Sequence, residues 1–151
     1  RDVERSRGLG DVYKRQMLSY SNFGADKQGS PLKVHEAIDF LHKTYPDMVV
    51  DGEMQVNFAL DKKLRDDMYP FNKLKGQDVN TLIFPNLSSA NSAYKLLDTL
   101  GITETIGPIQ MGLNKPIHFT DVESSTRDIV NLTTVAVVDA IVQEQIEKEN
   151  R

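Results

Sequence analysis

Hydrophobic and polar positions along this chain follow two periods, one typical of helices and one typical of strands. Apolar residues recur at helical spacing after Ser30-Pro31, where serine predicts an N-cap and proline suits the first helical turn. A later helix is predicted to begin after Ser88 or Ser89 and to end before Gly101. The helices predicted in this way cover residues 30–45, 61–68, 90–100 and 124–148.

Short apolar segments between these helices predict strands. The first strand is predicted at the apolar start of residues 17–23, which then lead into a loop. The others are predicted at residues 48–50, 55–60, 81–84, 103–106 and 116–119. Strands that alternate with helices predict an α/β fold with a mostly parallel sheet. We therefore expect a three-layer αβα architecture, in which the last helix is well covered because it carries apolar residues on several faces.

The first sixteen residues differ from the rest of the chain. They carry five basic and three acidic residues and show no clean helical or strand period. The segment GLGDVYKRQ, residues 8–16, is typical of a translated adapter, which is excluded from fold reasoning. A basic interaction arm is the alternative. We interpret residues 1–16 as non-native and residues 17–151 as part of one domain, and we expect a longer parent protein that is incomplete here at its N-terminal side.

Composition removes several function classes. The chain has no cysteine, which excludes disulfides, thiolate metal sites and a cysteine nucleophile, and which fits a cytoplasmic protein. Its net charge of −4 gives no basis for nucleic-acid binding. The three histidines lack metal-ligand spacing, and no uninterrupted apolar run reaches the roughly 20 residues that span a membrane. We expect neither a metal site nor a membrane partner.

Ligands of parallel α/β sheets bind beyond the carboxyl ends of the strands, near helix N-termini. The loop at residues 84–91 contains Asn86 and leads into a helix with Tyr94 and Lys95 one turn further on. A helix N-terminus and a lysine favour an anion, and tyrosine offers a stacking face. The alternative is that the serines only cap the helix and the lysine is solvated. A second loop, residues 106–112, holds two glycines around a proline, and a plain turn explains it equally well.

Several motifs in fixed order carry a resemblance to a known family. They are Leu18-Ser19-Tyr20-Ser21, Val50-Asp51-Gly52-Glu53-Met54-Gln55, Leu82-Ile83-Phe84-Pro85-Asn86-Leu87, Asn91-Ser92-Ala93-Tyr94-Lys95, Ile106-Gly107-Pro108-Ile109-Gln110-Met111-Gly112-Leu113, Lys115-Pro116 and Asp128-Ile129-Val130-Asn131. This ordered set resembles the phosphate acetyl/butyryltransferases. Arg127, Asn86 and the helix segment Ala136-Val137-Val138-Asp139-Ala140 are more similar to the branch at the end of bacterial malic enzymes.

The resemblance implies chemistry on coenzyme A. Members of the family transfer acetyl between acetyl phosphate and coenzyme A, and an aspartate that matches Asp128 helps deprotonate the thiol. An acidic residue favoured at a helix N-terminus is the structural alternative for Asp128. The resemblance implies that Asn91, Tyr94 and Lys95 bind coenzyme A in the family's groove, together with Asn86 and Gly107 of the neighbouring loops.

One departure from the family bears on activity. Where the transferases carry Ser-Arg-Gly, this chain has Asp121-Val122-Glu123 when it is counted back from Asp128 without a gap. Losing a cation and gaining carboxylates at ~4 Å costs a phosphate dianion several kcal/mol. A gapped alignment would bring Arg127 to the site instead. We expect transferase activity to be lost or feeble.

The resemblance therefore implies the acetyl-CoA-sensing part of an NADP-dependent malic enzyme. NADP and a divalent metal would act in domains upstream of this segment, which lacks a glycine-rich dinucleotide fingerprint. Acetyl-CoA is the expected partner, and the full-length protein is expected to be a homo-oligomer. Two alternatives stay open, namely part of an active phosphate acetyltransferase and an assembly module that binds no ligand.

Overall fold

A computed structural model describes residues 13–149 and divides the chain into two compact units, one through Leu96 and one from Leu97. The strands are β1 (Arg15–Leu18), β2 (Val50–Met54) and β3 (Thr81–Ile83). The helices are α1 (Gly29–Thr44), α2 (Val56–Leu60), α3 (Lys62–Met68), α4 (Leu87–Thr99) and α5 (Thr126–Glu149). The chain is thus an α/β protein, as its periodicity predicts.

The first unit is built on a parallel three-stranded sheet in the order β2-β1-β3. β1 lies in the middle and pairs with both neighbours in parallel. Helix α1 returns the chain from β1 to β2 and buries Pro31, Val34 and Ile38, which lie at helical spacing on one face. No side chain caps this helix, because it begins at Gly29, one residue before the serine that the sequence suggested as its cap.

The predicted boundary after Gln16 falls inside the central strand. Arg15 and Gln16 form the first half of β1, and the N–H of Arg15 donates to the carbonyl of Val49 over 3.0 Å. Gln16 is fully buried, where parallel sheets usually carry apolar residues, and its side-chain carbonyl has no hydrogen-bond partner. Residues 1–12 of the predicted foreign segment lie outside the described residues. The fold therefore includes residues 15 and 16, whatever their origin.

Strand β2 extends further than the sequence predicts. Asp51 and Gly52 lie within it rather than after it, because they pair with Gln16 and Met17 of β1. At Gly52 a Cβ would stand 2.5 Å from the carbonyl oxygen of Met17, and φ is +138°. Only glycine allows the two strands to approach at this position.

The segment after β2 is helical rather than a further strand. Residues 56–60 form α2, and Asp61 caps α3 by accepting from the N–H of Leu64 over 2.9 Å. Arg65 of α3 is fully buried and donates to the carbonyls of Ala59, Leu74 and Gln77. Its guanidinium thereby fixes the loop of residues 69–77, which otherwise lacks regular structure.

The second unit differs from its prediction in two respects. Residues 103–106 and 116–119 form no strand in the described part of the chain, because their backbone finds no neighbouring strand. Helix α5 begins as predicted after Ser125, but only Leu132 is buried, so the helix is not covered as its apolar faces suggested. By length and composition alone α5 could cross a membrane, although Asp128 and Asp139 would carry charge into lipid.

Deleting residues 1–16 tests the contribution of the first strand. The deletion removes Arg15 and Gln16 from between β2 and β3, and we expect it to lower the melting temperature by roughly 5–10 °C through lost backbone hydrogen bonds. Gln16→Leu in the whole chain is the control. It keeps the strand but removes both the unpartnered carbonyl and the hydrogen bond from Gln16 Nε2 to the Asp51 carbonyl, so it should lower the melting temperature much less than the deletion does. Equal melting of the deletion variant and the whole chain, by circular dichroism, would contradict the strand's role.

Candidate ligand site

The carboxyl ends of the three parallel strands lie at one edge of the sheet, where ligands of such folds bind. The loop of residues 19–28 follows β1, Gln55 follows β2, and the turn before α4 follows β3. Two of these segments are tied together. The N–H of Gln55 donates to the side chain of Asn22 over 2.8 Å, and its side-chain amide donates to the carbonyl of Tyr20 over 2.7 Å.

Glu53 is the buried group that fixes the loop after β1. Its Oε1 accepts from the hydroxyl of Ser21 (3.1 Å) and the N–H of Gly24 (2.6 Å). Its Oε2 lies 3.0 Å from Nδ1 of His35 on α1, and its carbonyl accepts from the N–H of Phe23. Ser21 and His35 contact the carboxylate rather than each other, so this group is not arranged as a nucleophile activated by a histidine.

Asn86 caps helix α4. Its side-chain oxygen accepts from the N–H of Ser89 over 2.9 Å, while its carbonyl accepts from the Ser89 hydroxyl. The cap is therefore the asparagine after the proline and not Ser88 or Ser89. The Asn86 oxygen is engaged by the helix, while its amide nitrogen forms no hydrogen bond within the described residues and could donate to a ligand.

The three residues predicted for the coenzyme A groove share one face of α4. Asn91, Tyr94 and Lys95 stand at positions i, i+3 and i+4, which are neighbours on a helix. Asn91 and Lys95 are exposed and Tyr94 is half-buried. The Lys95 ammonium lies 5.4 Å from the centre of the Tyr94 ring. The structure thus brings together an amide, an aromatic hydroxyl and a cation that a phosphorylated ligand could reach.

Gly107 lies in the second unit, and its backbone explains why glycine stands there. Its φ of +151° is one that residues with a side chain rarely adopt. A Cβ would meet only ordinary contacts, since its nearest described neighbour is the Ile109 nitrogen at 3.5 Å. The backbone conformation is by itself a sufficient reason for glycine at this position.

Asp128 is occupied by the first turn of α5. Its Oδ2 accepts from the hydroxyl of Ser125 (2.6 Å) and the N–H of Ser125 (2.8 Å), and the Ser125 hydroxyl also accepts from the Asp128 N–H. This reciprocal pair is a capping box with aspartate in the acidic position. The hydrogen bond from the Ser125 hydroxyl, followed by the one from its N–H, lowers the pKa of Asp128, which makes the carboxylate a weaker base.

Asp121, Val122 and Glu123, which the resemblance aligns with the family's Ser-Arg-Gly, are exposed and carry no cation. The Val122 side chain is fully exposed, and the Asp121 carboxylate accepts from the N–H of Val122 over 2.7 Å. Arg127 forms an exposed ion pair with Glu104, which raises the pKa of its guanidinium and places a compensating carboxylate beside its positive charge. Neither alignment of this segment therefore leaves an uncompensated cation beside Asp128.

Two features of the first unit were not predicted from the sequence. The motif that contains Glu53 indicated a family but not a buried carboxylate, and Arg65 lies in a helix whose charges suggested a solvated surface. A fully buried glutamate and arginine are rare, and each here binds several donors or acceptors. No group of three or more His, Asp or Glu side chains within residues 13–149 could hold a metal ion.

Comparison with known proteins agrees with this fold and these loops. The profile of one family, described as phosphate acetyl/butaryl transferase, matches residues 3–137. An NADP-dependent malic enzyme of Salmonella typhimurium is 38% identical over 91% of this chain, which spans 18% of that protein. A phosphate acetyltransferase of Clostridium acetobutylicum is 36% identical over 91% of this chain, which spans 41% of that protein.

Solved structures give the same result. The chain resembles a phosphotransacetylase from Staphylococcus aureus with a TM-score of 0.81 and 30% identity, covering 91% of this chain and 43% of the other. A phosphotransacetylase from Streptococcus pyogenes also gives 0.81, at 35% identity and with 92% and 42% covered. Fold and loops thus define a phosphotransacetylase-like α/β domain. The chain belongs to the phosphate acetyl/butaryl transferase family, with relatives among malic enzymes and phosphate acetyltransferases.

Replacing Glu53 tests whether its carboxylate fixes the loop after β1. Glu53→Gln keeps the shape of the side chain but removes its charge and turns one acceptor oxygen into a donor, so the hydrogen bonds from Ser21 and Gly24 lose their charge assistance and Nδ1 of His35 must accept instead of donate. We expect the free energy of unfolding in urea to fall by about 2 kcal/mol. Glu36→Gln, an exposed glutamate on α1, should change it little. Equal losses in the two variants would contradict the role of Glu53.

Proposed function

We propose that this chain is an acetyl-CoA-binding, regulatory domain that retains the phosphotransacetylase fold but transfers no acetyl group by itself. The observation that carries this proposal is the state of the residues expected to react. Asp128 serves as a helix cap, and the segment at residues 121–123 presents two carboxylates in place of a cation. In a longer protein of the malic-enzyme type, binding would act on malate oxidation elsewhere in the chain.

Loss of transfer follows from electrostatics. Transfer from acetyl phosphate requires positive groups or N–H donors where negative charge develops. Asp121 and Glu123 would repel a phosphate dianion by several kcal/mol at ~4 Å. Arg127 could offset this only by leaving Glu104. A carboxylate with a lowered pKa would also take a thiol proton poorly.

Binding needs less than catalysis. Lys95 supplies a positive charge, Tyr94 supplies a ring and a hydroxyl, and Asn91 supplies an amide on the same face of α4. The helix N-terminus beyond Asn86 adds N–H groups and a favourable dipole for an anion. These groups fit the polar parts of acetyl-CoA without requiring any of them to react.

The proposal assigns the redox chemistry to other parts of a longer protein. NADP and a divalent metal would be bound by domains outside this chain, which spans 18% of its Salmonella malic-enzyme relative. Assembly as a cytoplasmic homo-oligomer is part of the same proposal. The exposed apolar residues of α5, among them Ile129, Val130 and Val137, support self-association because large exposed apolar patches mark protein–protein contacts.

A second candidate is part of an active phosphate acetyltransferase. It is supported by relatives of that name in Clostridium acetobutylicum and Treponema pallidum, at 36% and 37% identity. Because the chain spans only 41% and 39% of those proteins, activity there could depend on residues that this chain lacks. The two candidates differ in whether residues 121–123 obstruct the phosphate.

Calorimetric titration of the 151-residue chain with acetyl-CoA tests the proposal. We expect saturable binding and no formation of acetyl-CoA from acetyl phosphate and coenzyme A. Lys95→Ala should weaken binding about tenfold, because it removes a cation that can pair with a phosphate. Lys43 is an exposed lysine in the last turn of α1, and the Lys43→Ala variant should bind acetyl-CoA like the unaltered chain.

A triple variant separates the two candidates. Asp121→Ser, Val122→Arg and Glu123→Gly together restore the family's residues, and they should raise the affinity for acetyl phosphate if the carboxylates obstruct it. Turnover by the unaltered chain at 1 s⁻¹ or more, the usual range for enzymes being about 1–10³ s⁻¹, would refute the regulatory proposal. Absence of acetyl-CoA binding would likewise refute the regulatory proposal.

A further inference from the structure

Four aromatic rings form a cluster beside the carboxyl edge of the sheet. Phe23 comes from the loop after β1, Phe58 from α2, and Tyr69 and Phe71 from the loop after α3. The Phe23 ring centre lies 5.0 Å from that of Phe71 and 5.2 Å from that of Tyr69, at tilted to edge-on angles. Phe58 and Phe71 contact Tyr69 from its other sides, at 5.4 and 6.1 Å.

The outermost ring of this cluster is held in place and yet open to solvent. Phe71 is 67% exposed, although residues on both sides of it are anchored. Next to it Asn72 is buried and donates to Asp66 and to the carbonyl of Tyr69. The carbonyl of Leu74 accepts from buried Arg65 over 3.0 Å. Exposure of Phe71 is therefore a feature of a fixed loop.

Phe23 is also held in a fixed position. Its backbone has a φ of +44°, in the left-handed region that phenylalanine rarely adopts. The Glu53 carboxylate holds the neighbouring Ser21 and Gly24, and the Phe23 N–H donates to the Glu53 carbonyl over 2.8 Å. Strained backbone held by buried hydrogen bonds is concentrated at functional sites. Here it places a ring against Phe71 at the edge of the sheet where ligands bind.

The charge around Phe71 suits an anion. Residues 61–78 carry five basic and four acidic residues, a net charge of +1 in a chain of −4. Lys62 pairs with Asp78 and Lys63 pairs with Asp67, while Asp66 contacts Arg65. Lys73 and Lys75 are exposed and form no ion pair with any residue in the described range 13–149. A flat aromatic group thus has two exposed lysines in its own loop, and the Asp51 carboxylate, which accepts from the Lys73 N–H over 2.6 Å, offsets part of the charge of Lys73.

We propose that Phe71, supported by Phe23 and Tyr69, stacks the adenine ring of coenzyme A, and that Lys73 and Lys75 bind its phosphates. This inference rests on the proposed function, which supplies the ligand. Adenine is planar and apolar on its faces, and stacking on an aromatic side chain contributes about 1–3 kcal/mol per base. The nucleotide carries several negative charges next to the base, so a ring beside lysines matches it in both shape and charge.

Two ligands that differ only in the nucleotide test this inference. Acetyl-CoA carries adenine and phosphates, whereas S-acetyl-pantetheine carries the same thioester without them. Phe71→Ala should weaken acetyl-CoA binding about tenfold in calorimetry and leave S-acetyl-pantetheine binding unchanged. Phe40→Ala, which truncates a comparably exposed phenylalanine on α1, should affect neither ligand. Phe71→Trp should retain acetyl-CoA binding because it retains a stacking face.

The lysines are tested with 3′-dephospho-CoA. The double variant Lys73→Gln, Lys75→Gln should weaken the binding of coenzyme A more than the binding of 3′-dephospho-CoA. The second ligand lacks the 3′-phosphate, so it has less negative charge to pair with the lysines. Unchanged acetyl-CoA affinity of Phe71→Ala, or equal weakening of both thioesters, would overturn the inference while leaving the proposed function intact. Failure of the unaltered chain to bind acetyl-CoA would overturn both. Reduced self-association of Phe71→Ala in sedimentation, with acetyl-CoA binding unchanged, would instead assign the ring to contact between copies.

Discussion

The carboxylate of Glu53 joins three parts of the first unit that are distant in sequence. It lies in β2, it accepts from Ser21 and Gly24 in the loop after β1, and it contacts His35 on α1. A fully buried carboxylate is stable only when its oxygens are satisfied in this manner. These hydrogen bonds offset the free-energy cost of burying the carboxylate. The same contacts give a loop without regular structure a single conformation.

The rest of the candidate site depends on that conformation. With the loop fixed, Phe23 is presented to Tyr69 and Phe71, and Gln55 can bind Asn22 and the Tyr20 carbonyl. Arg65 acts similarly on the other side, where one guanidinium serves three carbonyls and orders residues 69–77. Two buried charges thus organise the loops next to the sheet, while apolar burial by Val34, Ile38 and Met54 holds the sheet against α1. Polar contacts give this edge its shape, and the hydrophobic core gives it support.

The periodicity of apolar residues predicted those elements that local spacing determines. The helices α1, α4 and α5, the strand β3 and the α/β class follow from apolar spacing, proline and glycine. The limits of the strands did not follow. Gln16 belongs to β1 and Gly52 to β2 because the two strands pair with each other, and the sequence of one segment alone does not encode this pairing. Residues 103–106 and 116–119 have strand-like composition but no partner strand among the described residues. The buried states of Glu53 and Arg65 were equally hidden, since burial of a charge depends on groups far along the chain.

The family resemblance named candidate site residues that spacing alone could not identify, and the structure shows which contacts these residues make. Asn91, Tyr94 and Lys95 do share a helix face, whereas Asn86 and Asp128 are engaged as helix caps. A family fold can host binding after its chemistry is lost, because a groove needs shape and a few charges while transfer needs a cation at the reacting oxygen. In this chain Asn91 and Lys95 are exposed on one helix face, whereas Asp128 is engaged by Ser125 and residues 121–123 carry two carboxylates.

The most direct measurement is hydrogen–deuterium exchange of the 151-residue chain with and without saturating acetyl-CoA. A ligand that lies along the carboxyl edge of the sheet should slow exchange of backbone amides in residues 86–95 and 69–77, and it should leave the C-terminal turns of α1 unchanged. We expect protection confined to those two segments. Exchange that acetyl-CoA leaves unchanged throughout, or protection limited to α5, would contradict it.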